Sequence, residues 1–174
     1  MASSSPDLYN TSGIQLPKNA CVVIVRTEWN ADTMNKLESG CVKVLEENGV
    51  CHKTVTVPGA FEIAFCIKSY WESHKYKDDR PHAFIALACV LRGETPHFDY
   101  VCKAVTEGVV QLNLLLPTPT IFGVLTVDNL LQIAERTGGR HGHKGEEAAI
   151  AALKMIALKH EFNSPGNVDV NNNA

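Results

Sequence analysis

The sequence predicts a single α/β domain, a three-layer α/β/α sandwich built on a four-stranded parallel sheet, and two observations carry that expectation. Four short apolar runs alternate with helical patterns along the chain, the order that parallel strands joined by crossover helices require. A hydrophobic content of 45% in 174 residues supports one sizeable core and gives no sign of a second.

The strands are expected at Ala20 to Val25, Lys53 to Val57, Ala83 to Leu91 and Thr120 to Leu125, each an apolar run bounded by polar or turn residues. A first helix, Ala31 to Glu47, places Met34, Leu37, Cys41, Val44 and Leu45 on one face behind Asn30, a good capping residue. Phe61 to Trp71 follows the Pro58-Gly59 turn, and Phe98 to Leu116 carries Val101, Val105, Val109 and Leu112 at helical spacing. Asp128 is expected to cap a short helix of Asn129 to Arg136. Thr137 to His143 reads as a linker into an alanine-rich helix from Gly145 to His160, with Ala149, Leu153, Ile156 and Ala157 facing inward. Residues 1–17 and 163–174 read as polar, mobile tails around a domain of residues 18–162.

Charge and cysteine usage narrow the classes. A net charge of −3 without Lys/Arg clusters makes nucleic acid and anionic membranes poor partners. No apolar run approaches the roughly 18 residues of a membrane span. The first 17 residues carry Asp7 but no Lys or Arg, unlike a signal or transit peptide, so a cytoplasmic protein is expected. Six cysteines, at 21, 41, 51, 66, 89 and 102, form no C-x-x-C pair and mostly sit in apolar segments, so reduced, buried thiols are expected. Cys51-His52 has no second pair at ligand spacing, and no metal is expected.

Parallel sheets bind ligands outside the carboxyl ends of their strands. Those ends carry Glu28-Trp29-Asn30, Pro58-Gly59-Ala60-Phe61-Glu62, Arg92 to His97, and Thr126-Val127-Asp128-Asn129. Gly93, Glu94 and Thr95 lie just ahead of a helix, where free backbone N–H groups can hold an anion. His97 stands beside that turn and can move protons near neutral pH. Trp29 either wedges the first helix start or stacks on a flat heterocycle. Glu62 either answers the helix dipole or reads a ligand. Arg136, Arg140, His141, His143 and Lys144 put five potential cations in nine residues. They make either a solvated loop, with a helix cap at Gly138-Gly139, or a phosphate-recognition segment. A metal on His141 and His143 lacks a carboxylate or cysteine partner. Neither G-x-G-x-x-G nor G-x-x-x-x-G-K-[ST] follows a strand, so dinucleotide and nucleoside triphosphate chemistry are unsupported.

Four spaced motifs then carry a resemblance. Val57-Pro58-Gly59-Ala60-Phe61-Glu62-Ile63, Arg92-Gly93-Glu94-Thr95-Pro96-His97-Phe98-Asp99, Phe122-Gly123-Val124-Leu125-Thr126 and Lys144-Gly145-x-Glu147-Ala148-Ala149 resemble, in order, those of the 6,7-dimethyl-8-ribityllumazine synthases. The match spans about residues 20–160. It implies a flavodoxin-like fold and a condensation, without metal or cofactor, of 5-amino-6-(D-ribitylamino)uracil with 3,4-dihydroxy-2-butanone 4-phosphate, the penultimate step of riboflavin biosynthesis. By the same resemblance Trp29 stacks on the pyrimidine beside Asn30. Ala60, Phe61 and Glu62 bind the ribityl chain and ring edge, and Val90 and Leu91 offer backbone groups. Gly93, Glu94 and Thr95 form the phosphate turn, with His97 as general acid/base. Phe122, Arg136 and Lys144 come from the neighbouring subunit, with Arg136 on the phosphate, and Glu147 belongs to the Lys144 motif. The resemblance implies a homo-oligomer, either a pentamer or a 60-subunit shell of pentamers. The seven residues between Arg136 and Lys144 leave no room for the insertion that often holds pentamers apart, which favours the shell.

Glu28 stands where most relatives have arginine, Ala64 replaces a frequent proline, Ala88 a frequent glycine, and His143 a common asparagine. His143 is therefore expected to make phosphate affinity sensitive to pH. The rival readings are an archaeal-type riboflavin synthase of related fold and a non-catalytic, lumazine-binding shell protein.

Overall fold

The computed structural model describes residues 9–163. In chain order the elements are β1 (Cys21–Thr27), α1 (Ala31–Glu47), β2 (Cys51–Val57), α2 (Glu62–His74), β3 (Ala83–Leu91), α3 (His97–Leu115), β4 (Thr120–Val127), α4 (Leu130–Arg136), β5 (Thr137–Gly139), β6 (Gly142–His143) and α5 (Lys144–Asn163). The main sheet is four-stranded and parallel, in the order β2-β1-β3-β4.

Side chains alternate across a strand, and here the alternation divides two cores. Val22 and Ile24 of β1, with Ile85 and Leu87 of β3, pack against Leu37 and Leu45 of α1 and Leu153 of α5. Val23 and Val25, with Phe84 and Ala86, pack against Ile63 and Ile67 of α2 and Val105 and Val109 of α3. Both faces of β1 and β3 are covered, which is why these strands read as unbroken apolar runs. Each fully buried Leu, Ile or Val adds about 1.5–3 kcal/mol.

Strand ends run past the apolar residues because a neighbour's ladder, rather than hydrophobicity, decides where pairing stops. β1 continues through Arg26 and Thr27 opposite Thr56 and Val57. Arg26 can stay in the strand because its guanidinium is tied to Glu38 and Asn35 of α1. β2 begins at Cys51, opposite Cys21, and β4 runs on to Val127, opposite Leu91.

Four local expectations are corrected. Asn30 does not cap α1 through its side chain; that amide is engaged elsewhere, as described below. Asn129, not Asp128, caps α4, its Oδ1 accepting from Gln132 N at 3.0 Å. Asp128 is drawn instead to Arg92. The expected linker is a β5–β6 hairpin, with Gly138 and Gly142 at positive φ, where a side chain would strain the turn. Only Cys21, Cys41 and Cys89 are buried. Cys51 is exposed, because β2 is an edge strand.

The expectations for residues 1–8 and 164–174 lie outside the described residues. Within the segment expected to be a tail, Ile14 and Leu16 pack against the α1/α5 core, and Tyr9 donates to Glu147 Oε1 at 2.8 Å. Among the described residues no helix is long and apolar enough to cross a membrane.

Candidate active site

A cavity of about 450 Å³ opens at the carboxyl ends of β1, β2 and β3, beside the start of α3. In this strand order the chain leaves β1 toward one edge of the sheet and β3 toward the other, which leaves a crevice between them. Trp29, Asn30, Ala60, Phe61, Glu62, Val90, Leu91 and His97 all line it. Thr27, Gly59, Ala88, Cys89 and Val101 complete the wall and were not among the site residues expected from sequence. Small or apolar residues at strand ends and on a helix face carry no chemical mark that separates a pocket wall from a core.

Asn30 anchors the floor. It is the one non-glycine residue with positive φ among those described, at φ 58° and ψ 48°, a left-handed conformation that Asn tolerates better than most residues. Its Nδ2 donates to the Cys89 carbonyl oxygen at 2.8 Å, tying the β1–α1 turn to the end of β3. That bond turns the chain so that Trp29, 73% exposed, stands on the rim as an open indole face. Gly59 sits between Trp29 and Glu62. A Cβ there would lie 3.1 Å from Glu62 Oε2 and 3.7 Å from Trp29 Cδ1, so a larger residue would push the Glu62 carboxylate back slightly.

His97 opens α3 and lines the cavity. Gly93, Glu94 and Thr95 form the exposed turn before it and do not line the cavity themselves. Arg92, read from sequence only as the first residue of its segment and given no role there, organises that turn. Its Nε donates to Asp128 Oδ1 at 2.7 Å, its Nη1 lies 3.4 Å from Asp99 Oδ1, and its guanidinium stacks 4.0 Å above the Phe98 ring. The hydrogen bond from Arg92 holds the Asp128 carboxyl below the usual carboxylate range, and the same bond raises Arg92. No sequence signal could have paired Arg92 with a carboxylate 36 residues away. Burial pushes the Cys89 thiol up to about 11, so it stays neutral and is no nucleophile.

Four other expected residues do not line this cavity. Phe122 lies partly exposed on β4. Arg136 donates from Nη1 to the Gln132 carbonyl of its own helix at 3.1 Å. Lys144 Nζ donates to both Glu147 oxygens, at 2.8 and 2.7 Å. Burial, and then the hydrogen bond to Glu147, push the Tyr9 hydroxyl up to about 12. The basic segment is partly neutralised, since Glu135 pairs with Arg140 at 3.1 Å and lies 3.7 Å from His141. His143 packs between α1 and α5 rather than lining the cavity. Its ring fills the space over Gly40 and Gly145, and its Nδ1 accepts from Glu146 N at 3.4 Å. Among the described residues no group of three His, Cys, Asp or Glu is placed to hold a metal ion.

Fold and cavity together define an α/β protein of flavodoxin-like type with a cavity at the topological switch point, where such sheets bind ligands. Residues 19–160 match the sequence profile of 6,7-dimethyl-8-ribityllumazine synthase. Proteins named 6,7-dimethyl-8-ribityllumazine synthase are similar over most of the chain. That of Parabacteroides distasonis is 46% identical over 136 residues, 76% of this chain and 82% of its own. That of Porphyromonas gingivalis is 42% identical over 154 residues, 87% and 92% of the two chains. That of Cytophaga hutchinsonii is 43% identical over 162 residues, 90% and 98%. The chain belongs to the 6,7-dimethyl-8-ribityllumazine synthase family.

Proposed function

We propose that this protein condenses 5-amino-6-(D-ribitylamino)uracil with 3,4-dihydroxy-2-butanone 4-phosphate to give 6,7-dimethyl-8-ribityllumazine, phosphate and water. The observation that carries the reading is the convergence of an open indole (Trp29), a carboxylate (Glu62) and an imidazole (His97) on one cavity at the start of a 19-residue helix. Indole suits a flat pyrimidine. The free N–H groups of Gly93 to Thr95 suit the phosphate of the second substrate.

In this reading the pyrimidine lies on Trp29, with Asn30 and the Val90–Leu91 backbone at its edge and Glu62 toward the ribityl chain. The amine on the ring attacks the ketone, and water leaves as the imine forms. His97 moves the proton that lets phosphate depart by elimination into the Gly93–Thr95 turn. The ribityl-bearing nitrogen then closes the second ring, expelling water. Both reacting groups already belong to the substrates, so holding them in attack geometry supplies much of the rate, with proton transfer adding to it.

Phe122, Arg136, Lys144 and Glu147 enter through assembly, the first three reaching the cavity of the next subunit. Large apolar side chains exposed on α2, α3 and α4, among them Phe65, Leu114, Leu130 and Leu131, support burial between copies. The assembly is a ring of five, in a 60-subunit shell. Light scattering tests this, and particles of pentamer mass alone would sink the shell. Six unpaired thiols suit a reducing, cytoplasmic compartment.

The reaction is tested by mixing both substrates with purified protein and following the lumazine absorbance. The chromophore should appear with both substrates, faster than in their unaided mixture. A rate no higher than that background would defeat the proposal, and consumption of lumazine alone would assign riboflavin synthase activity instead.

A further inference from the structure

At the opposite, amino edge of the sheet lies a second cavity of about 420 Å³, between the end of α2, the approach to β3, the turn before β4 and the end of α5. Arg80, His82 and Lys159 line it, together with His160, Trp71 and Thr118. None of its lining residues is Asp or Glu. Lys75, also on the wall, is answered by Glu72 at 2.6 Å. Arg80 and Lys159 have no such partner among the described residues. Cations near the end of a helix are ordinary, which accounts for Lys75 and His160. It does not account for Arg80, which precedes a strand, or for setting a half-buried Lys159 beside it.

Two further features point to a ligand. Thr118 is 1% exposed, and its Oγ1 is buried without a hydrogen-bond partner; such a group is costly unless something satisfies it. His82 Nδ1 accepts the Cys21 backbone N–H at 3.2 Å, so the neutral ring carries its proton on Nε2 and keeps a donor. Burial lowers the His82 pKa first, with Arg80, Lys159 and His160 adding to it, and burial with Arg80 likewise lowers Lys159. A concave wall of donors, with positive charge on Arg80 and Lys159 that no described carboxylate answers and with a hydroxyl and an indole beside it, is complementary to an oxyanion.

We propose that this cavity is a second anion site, separate from the reaction cavity, that takes the phosphate group of inorganic phosphate or of a small phosphomonoester. Arg80 and Lys159 supply the charge, and Nε2–H of His82 a neutral hydrogen bond. Trp71 supplies an apolar wall for whatever the phosphate is attached to.

The test uses the two tryptophans of the chain. In the full-length Trp29→Phe protein Trp71 is the sole tryptophan, so emission excited selectively in indole reports this cavity alone. Titration with inorganic phosphate, and separately with phenyl phosphate, at constant ionic strength set by chloride should give a saturable change. Tighter binding of phenyl phosphate would assign the site to an ester, and equal affinity to the inorganic ion. Adding Arg80→Gln and Lys159→Gln should weaken binding by on the order of tenfold or more, while Lys159→Arg should retain it. The wild-type protein carrying only Lys159→Gln should keep its turnover. A Trp71 signal that responds no differently to phosphate than to chloride, or a response unchanged in the doubly substituted protein, would overturn the proposal.

Discussion

His97 combines a helix-entry position with a place on the cavity wall, and a helix entry has no need of imidazole. Replacing it by Ala should lower kcat by on the order of 10² to 10⁴ if proton transfer limits the rate. The amine and ketone also react slowly unaided, which sets the floor. Steady-state kinetics of folded His97→Ala protein checks this, and near wild-type turnover would remove His97 from the chemistry. Asn30 is the contrasting case. The sequence marks it as a helix cap, yet it adopts a left-handed backbone and spends its amide on the Cys89 carbonyl. Strain of this kind persists where surrounding structure holds it, and it collects at functional sites.

Among the elements, α1 and α5 cross closely. A Cβ on Gly145 would overlap the Leu37 carbonyl oxygen, and Cys41 Sγ donates to the Gly145 oxygen at 3.0 Å. Gly145→Ala should therefore cost about 1–3 kcal/mol by overpacking. Gly93→Ala, with open space where its Cβ would go, should cost much less. Thermal melts of the two variants check the order, and equal melting temperatures would contradict the close crossing. At the start of β3, burial lowers His82, reinforced by Arg80, Lys159 and His160. Between the depressed folded value and the ordinary one near 6.5, the unfolded chain binds more protons. Stability therefore rises with pH across that window, and is lost as pH falls through it. Protonation would also cost the bond from the Cys21 N–H. In phosphate-free buffer the loss of melting temperature from about pH 7 to about pH 5 should be smaller in His82→Gln than in wild type. An equal loss in both would show that His82 does not carry it.

On the scale of the whole molecule, the question is who owns the reaction site. Trp29, Glu62 and His97 share one cavity, whereas Arg136 bonds back to Gln132 of its own helix and does not line it. If Arg136 serves the next subunit, the contact is heterologous and repeats until the ring closes. His97→Ala and Arg136→Ala chains, each impaired alone, should then complement each other in mixed rings. With random equal mixing about a quarter of the sites regain both groups. Turnover per subunit of co-expressed, verified mixed assemblies checks this. Activity no higher than the mean of the two separate variants would place the whole site within one chain.

The layers, the parallel sheet and one side of the site were legible because their signals are local. Apolar runs at Ala83–Leu91 and helical periodicity in α1 follow from burying one face of each element, and the polar residues just past each strand follow from ligands meeting a parallel sheet at its carboxyl edge. Contacts between distant residues were not legible. Arg92 with Asp128, Asn30 with Cys89 and the His143 ring over Gly40 each depend on backbone brought together by the fold, and no residue type announces its partner. The cationic cavity was equally hidden, since Arg80, Thr118 and Lys159 are scattered among ordinary polar stretches. Sequence alone therefore determined which strands and helix faces form the core and which strand ends gather polar residues. Only tertiary structure decided which polar groups meet, because a hydrogen bond or an ion pair requires a specific distance that periodicity does not encode.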